Sequence, residues 1–310
     1  MTTPKVSTIS RGGSRFYVNP DTGRKNPGVT SVLNMLPKPF LTFWAAKMVA
    51  EFAVENMGDV VGIAMKDKAA AVELLKGAPR RFTKNSADVG SDAHDLFEAI
   101  AKGEDIRVTP ALKPYIDHFR EFLEVAKPEF VFLEETVWSD DFGYAGSFDA
   151  LARLTGDVGD LKGKLLFMDW KTTRSGVHEE VALQLCAYSR ATHIVRPDGS
   201  RVPLPKAEGG AVLLVRPEGW KLVPVEVGEV TLAEPVLHEP TGDVVVPGHT
   251  VDVFDYFLAL REVLDWDAEV KKRVIGKPVA AGGEFKPGEQ SGPINKPKAA
   301  PRARAKAAAK

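Results

Sequence analysis

Apolar residues recur along this chain in two distinct rhythms, and the change between them divides it. Arg15-Phe16-Tyr17-Val18 has strand character and is followed by the turn-forming run Asn19-Pro20-Asp21-Thr22-Gly23, which predicts a hairpin over residues 14–30. Thr30 or Ser31 can cap a short helix through Leu36, stopped by Pro37 and Pro39. Phe40, Phe43, Trp44 and Met48 then fall at three- to four-residue intervals, which predicts a helix over residues 40–57. Further helices are expected over 59–76, ending near Gly77 and Pro79, over 86–102, ending at Gly103, and from Pro110 to Ala126.

Beyond Pro128 the texture becomes that of strands. Phe130-Val131-Phe132-Leu133, Tyr144 to Leu154 and Leu165-Leu166-Phe167-Met168 are rich in aromatic and aliphatic side chains. Residues 177–194 return to helix. Val212-Leu213-Leu214-Val215 and Lys221 to Val225 predict further strands, and Val251 to Val270 a final helix. Residues 226–248, rich in Pro, Gly and Glu, support no assignment. After Gly276 apolar periodicity stops, and the Ala, Pro, Gly and Lys composition predicts a disordered tail. Helices followed by strands, a helix and more strands predict an α/β domain with a helical N-terminal region. The expected division is a hairpin and helical region over 1–85 packed on a core over 86–275, with a tail over 276–310.

The chain has 310 residues, 44% hydrophobic and 27% charged, which is ordinary globular composition. Its single cysteine, Cys186, rules out an intramolecular disulfide and a four-cysteine zinc or iron–sulfur site, and a reducing cytoplasm is the natural expectation. No apolar run approaches membrane-spanning length, and the polar residues after Met1 do not form a signal peptide, so no membrane partner is expected. The net charge of −1 conceals an asymmetry: residues 277–310 carry eight Lys/Arg and two Glu, a net +6, against −7 for the remainder. A basic tail beside an acidic body suits a polyanionic partner, and equally suits a solubilising extension.

Four features carry chemistry. In Phe167-Met168-Asp169-Trp170-Lys171 an apolar strand ends in a carboxylate and an ammonium two residues apart, so both project to one side and Trp170 to the other. An ordinary Asp–Lys pair at a strand end has the same pattern. In Gly143-Tyr144-Ala145-Gly146-Ser147-Phe148-Asp149 a carboxylate sits inside an apolar strand, where it is costly unless paired or bound to a cation. Gln184 and Tyr188 share a helix face at i, i+4, as the polar rim of an amphipathic helix also would. Gly90, His94, Phe97 and Ala101 fall on one helix face, and a His in that setting is as well explained as a satisfied boundary residue.

In chain order these read His, Gly-x-x-Asp, Asp-x-Lys, Gln-x-x-x-Tyr. The combination resembles the PD-(D/E)xK nuclease superfamily, in particular its RecB-like exonuclease branch, which includes lambda-type exonuclease, CRISPR-associated RecB-like nucleases and phage homologues. The likeness covers about residues 86–192, and Gly143 to Asp149 with Leu183-Gln184-Leu185 is similar to the phage members. Val29-Thr30-Ser31-Val32-Leu33 and Trp44-Ala45 share the likeness less specifically.

That resemblance implies a restriction-endonuclease-like core, a mixed sheet flanked by helices, whose helical N-terminal region covers a DNA channel. It implies His94, Asp149 and Asp169 as metal ligands with the Trp170 carbonyl, Lys171 to position the attacking water and stabilise developing charge, and Gln184 and Tyr188 to orient the lysine or a phosphate. A further Glu is expected on the preceding strand, Glu134 or Glu135, with the spacing to Val137 favouring Glu134. Oxygen ligands with one imidazole suit a hard divalent cation, Mg²⁺ or Mn²⁺. The CRISPR-associated members commonly hold a four-cysteine iron–sulfur cluster; this chain has no cysteines for one. The implied activity is a phage-encoded DNA exonuclease of recombination, repair or replication. DNA is the expected partner, with a phage recombinase or single-strand-binding protein. The rivals are a structure-specific endonuclease of the same chemistry and a nuclease-fold protein that binds DNA without cutting it.

Overall fold

A computed structural model describes residues 5–232, 236–239, 242–245, 248–276 and 279–280. The proposed tail beyond Gly276 lies almost wholly outside them. The chain divides into two compact units at Leu264/Asp265.

The N-terminal hairpin gains a strand and becomes a three-stranded antiparallel sheet, β1 (Thr8–Arg11), β2 (Ser14–Val18) and β3 (Lys25–Pro27). The helix α1 (Val29–Leu33) buries Val29, Val32 and Leu33, and α2 (Phe40–Glu55) follows the two prolines. The single helix expected over 59–76 is two, α3 (Met57–Lys66) and α4 (Lys68–Lys76). Asp67 interrupts it: its backbone is extended, and its carboxylate accepts the N–H groups of Ala69 and Ala70, capping α4. Helix α5 (Ala78–Ala101) starts eight residues before the expected boundary at 86. Pro79 lies in its first turn, where the missing N–H has no intrahelical partner to lose, so it opens α5 instead of merely ending the previous helix. Helix α6 (Lys113–Ala126) ends at Lys127, which takes a left-handed conformation (φ 43°).

Strands β4 (Pro128–Ser139), β5 (Tyr144–Leu154) and β6 (Leu165–Lys171) precede α7 (Glu180–Ser189). Then come β7 (His193–Val195), β8 (Arg201–Pro203), β9 (Gly209–Arg216) and β10 (Gly219–Val225). Helix α7 is shorter than the predicted 177–194, because residues 193–195 pair with β4 as a strand. In the unassigned stretch, β11 (Glu229–Thr231) pairs with β14 (Thr250–Asp252), and β12 (Val236–Glu239) with β13 (Gly242–Val245). Helix α8 (Val253–Ala268) crosses the division between the units. Within the second unit Lys271 forms an ion pair with Asp267.

The protein is thus α/β, with a seven-stranded mixed sheet in the order β10-β9-β6-β5-β4-β7-β8. β6 and β9 run parallel, while the other neighbours are antiparallel. Alternation along β6 feeds two cores. Leu165 and Phe167 pack with α1, α7 and Phe254 and Phe257 of α8. Leu166, Met168 and Trp170 pack with α5 and α6, where Trp170 meets Phe97 and Phe119 edge-on. The helices therefore cover both faces, as the continuous apolar run at β6 requires. No helix among the described residues is long and apolar enough to cross a membrane.

Candidate active site

The site forms where two strands part. β5 and β6 pair from Arg153↔Leu165 to Ala150↔Met168, and the ladder stops there. One step further would set Asp149 opposite Asp169. β6 instead continues alongside β9 to Lys171↔Leu214, so its end stays anchored on one side and opens on the other. On the far side of β5, Leu133↔Ala150 and Glu135↔Phe148 bracket Glu134 opposite Asp149. Glu134, Asp149 and Asp169 thus stand in a row across three neighbouring strands, and all three are buried.

Each group is held by a different neighbour. Asp149 Oδ2 accepts the Trp170 backbone N–H at 2.6 Å. Asp169 Oδ1 accepts Lys171 Nζ at 2.8 Å and Gln184 Nε2 at 2.9 Å, and Lys171 Nζ is 2.7 Å from Asp169 Oδ2. Gln184 also donates to Tyr188 Oη at 3.2 Å, so the i, i+4 pair of α7 acts as one unit. From α5, His94 places Nδ1 3.8 Å from Asp149 Oδ2. The two-residue spacing of Asp169 and Lys171 does what the strand period demands, with the Trp170 ring turned into the opposite core.

Burial dominates the electrostatics. It pushes the Asp149 and Asp169 carboxyls above their ordinary value, against the opposing pull of Lys171. It drives His94 down to about 4, although the Asp169 charge and a backbone hydrogen bond with Trp170 oppose it. Burial also works to lower Lys171, but the charges of Asp169 and Asp149 outweigh it, and the ammonium is held above its usual value. Lys171 is therefore a cation in this site, and His94 a neutral imidazole whose Nδ1 is buried without a hydrogen-bond partner.

Two glycines make the close approaches possible. A Cβ at Gly146 would lie 2.7 Å from Tyr188 Cε1 and 2.9 Å from Val29 Cγ2, so β5, α1 and α7 meet there only because the position is bare. A Cβ at Gly90 would stand 3.1 Å from Thr172 Oγ1, which brings α5 against the exit of β6.

The sequence-predicted residues His94, Asp149, Asp169, Trp170, Lys171, Gln184 and Tyr188 come together at this fork. Glu134 adjoins them, in a left-handed backbone conformation (φ 52°), whereas Glu135 faces Lys5 and Arg196. Of the three expected metal ligands, His94 and Asp149 stand 3.8 Å apart, Nδ1 to Oδ2. Among the described residues no three His, Cys, Asp or Glu side chains converge to hold a metal ion. Lys171 occupies the charged side of Asp169, and the Trp170 N–H occupies Asp149. The donor set still suits a hard cation: desolvated carboxylates short of positive charge, beside an unengaged imidazole nitrogen.

Three contributors escaped the sequence reading. Glu98, one turn beyond His94 and ion-paired with Lys102, adds to the upward pull on Asp149; its i, i+4 spacing from His94 was the available signal. Tyr17 Oη accepts the Ser147 N–H at 3.0 Å, so the N-terminal sheet braces β5 two residues before Asp149. Arg216, at the end of β9, donates to the carbonyls of Thr173 (3.0 Å) and Arg174 (2.8 Å) and pins the segment after Lys171. Nothing local in the sequence marks either of these two.

No protein-family model matches the chain, and no curated protein matches it.

Proposed function

We propose that the fork holds the active centre of a divalent-metal-dependent DNA exonuclease with a restriction-endonuclease-like core. The observation that carries this reading is the seating of Lys171 on Asp169 beside Asp149, at the point where β5 and β6 separate. A structural ion pair needs one carboxylate. This site keeps two desolvated ones, a neutral His and a cation, at a strand end where the ladder opens.

Asp149 and Asp169, with His94 and the Trp170 carbonyl, would hold Mg²⁺ or Mn²⁺. When bound, such an ion polarises the scissile phosphate and lowers the pKa of a coordinated water. The chain's own residues supply the rest. Lys171, kept protonated, donates to oxygen and opposes the negative charge that develops on phosphorus-bound oxygens. Its ammonium has no free electron pair, so it positions the water and is not the base that deprotonates it. Gln184 fixes Asp169 and is itself held by Tyr188, so the carboxylate keeps its direction as charge builds up. Arg216 keeps the segment after Lys171 from swinging across the opening.

The test is to incubate end-labelled linear DNA with the protein and Mg²⁺ or Mn²⁺, with and without EDTA, beside an Asp169→Ala variant. Metal-dependent release of nucleotides by the wild type alone is expected. Equal release by a folded Asp169→Ala protein would remove the site from consideration.

A further inference from the structure

The seven-stranded sheet has two edges, and they differ. β8, at one end, is three residues long and closes on Pro203. β10, at the other, is seven residues long, about 23 Å, and among the described residues it pairs with β9 alone.

The sequence of β10 fixes what its free edge offers. The two-residue turn Pro217-Glu218 sets Arg216 opposite Gly219, and the closing pair of such a hairpin exchanges hydrogen bonds. Alternation then turns the backbone groups of Trp220, Leu222 and Pro224 away from β9. Pro224 has no N–H, so β9 loses nothing by that orientation. The edge therefore presents the N–H groups of Trp220 and Leu222 and the carbonyls of Trp220, Leu222 and Pro224. Among the described residues no hydrogen bond from outside the sheet reaches them.

The same three side chains floor a groove. Trp220 and Leu222 face the core under α6, where Trp220 meets Phe122 edge-on at 5.7 Å. The groove has a volume of about 570 Å³ and is walled by Val125 of α6 and by Val158 and Leu161, which follow β5. That wall is anchored. The N–H groups of Gly156 and Asp157 donate to the carbonyls of Ala126 (2.8 Å) and Val125 (3.2 Å). A Cβ at Gly156 would collide with the Val125 carbonyl oxygen, so only glycine lets the chain run this close to the end of α6.

The rim is acidic. Asp157, Asp160 and Glu226 stand around the groove against one cation, Lys164, and all four are exposed. None of them forms an ion pair among the described residues. Such a rim repels nucleic acid and attracts basic side chains. Open backbone donors and acceptors beside an apolar floor of period two form the arrangement to which an extended peptide adds as a further strand.

We propose that an extended segment of a partner protein pairs antiparallel with the free edge of β10, its apolar side chains over Trp220 and Leu222 and its basic ones at Glu226, Asp157 and Asp160. None of these residues belongs to the fork, so the proposal goes beyond the nuclease reading and does not rest on it. Antiparallel pairing makes a specific demand. Partner residues opposite Trp220, Leu222 and Pro224 aim both their N–H at β10 and their side chains along the groove, while the residues between them aim their N–H at solvent.

The probe is a fluorescein-labelled peptide, Arg-Thr-Arg-Thr-Val-Thr-Val-Thr, titrated with the full-length protein and followed by anisotropy. Saturable binding is expected. Backbone N-methylation at the two Val positions should weaken it about tenfold or more, and N-methylation at two Thr positions should change it much less, because only the first set of N–H groups meets β10. Glu in place of Arg in the peptide should also weaken binding about tenfold or more, and Asp157→Lys with Asp160→Lys should reverse that preference. Peptide should slow hydrogen exchange at the amides of Trp220 and Leu222 and leave Lys221 and Val223, already paired with β9, unchanged.

No saturable binding of the Arg peptide would overturn the proposal. So would equal loss from the two N-methylation patterns, or exchange at Trp220 and Leu222 that the peptide leaves unaltered. Slow exchange at these two amides before any peptide is added would overturn it as well, since the edge would already be held by this chain or by a second copy of it.

Discussion

The carboxylate of Asp149 accepts the backbone N–H of Trp170 at 2.6 Å, so a side chain stands where a ladder carbonyl would if β5 and β6 stayed paired. That substitution lets the sheet open without leaving the Trp170 N–H unsatisfied, and it places a buried negative charge at the opening.

Asp149→Asn separates the two consequences. An amide oxygen can still accept the Trp170 N–H, and the cost of burying a charge disappears. The folded carboxyl lies above its unfolded value, so its stability contribution is present below the unfolded pKa and lost as pH rises through the folded one. At neutral pH the Asn variant should therefore melt higher, by about 2–4 °C per kcal/mol recovered, while cleavage is lost. Asp149→Ala should instead cost about 1–3 kcal/mol, because it orphans the N–H. Thermal melts of the three proteins, with a cleavage assay alongside, decide this; an Asn variant that still cuts at the wild-type rate would show that Asp149 is only a structural acceptor.

Lys171→Ala should lower the single-turnover rate at saturating DNA by about 10²–10³-fold, in the range seen when one preorganised donor is removed. DNA affinity should change little, because the charge is needed most at the transition state. The opposite split, with affinity lost and saturated turnover kept, would make Lys171 a phosphate anchor.

Gly146→Ala should destabilise by about 1–3 kcal/mol, since its Cβ has no room between Tyr188 and Val29. Displacing Tyr188 should also release Gln184 from Asp169 and reduce cleavage. Gly62→Ala is the matched control. It lies in α3 with nothing within 4 Å of its Cβ, and it should stabilise by about 0.5–1 kcal/mol through backbone entropy. Denaturant melts of both variants check the pair; equal behaviour would mean that β5, α1 and α7 are not packed as described.

Cys186 should resist alkylation in the folded protein. Its thiol is buried, and burial pushes its pKa up to about 12, so almost none is thiolate between pH 7 and 9. Labelling with iodoacetamide should track unfolding in a denaturant series. Rapid labelling of the native protein at pH 8 would mean that α7 opens far more readily than its packing implies.

Much of the candidate site was legible because its spacing is local. Asp169 and Lys171 share a side because a strand repeats every two residues, and Gln184 and Tyr188 because a helix returns near every fourth. The same reasoning misjudged boundaries where one residue does two jobs. Pro79 looks like a terminator but opens α5, and Asp67 splits a continuous helical pattern because its side chain competes for the backbone. Spacing to Val137 favours Glu134 over Glu135, and the register with β5 sets Glu134 across from Asp149 while Glu135 meets Lys5 and Arg196.

Alone, then, the sequence determined the strands β4, β5, β6, β9 and β10 and the helices between and around them, the apolar faces that must be covered, and the short-range geometry of each motif, since all of these follow from side-chain order along a regular backbone. Tertiary structure decided where the β5–β6 ladder stops, which carboxylate takes the Trp170 N–H, that Arg216 and Tyr17 brace the site from distant strands, and that Gly90 of α5 comes against Thr172. Those depend on contacts between residues tens to more than a hundred positions apart. Their free energy is set by packing and desolvation at the meeting point, and no periodicity within a single segment encodes it.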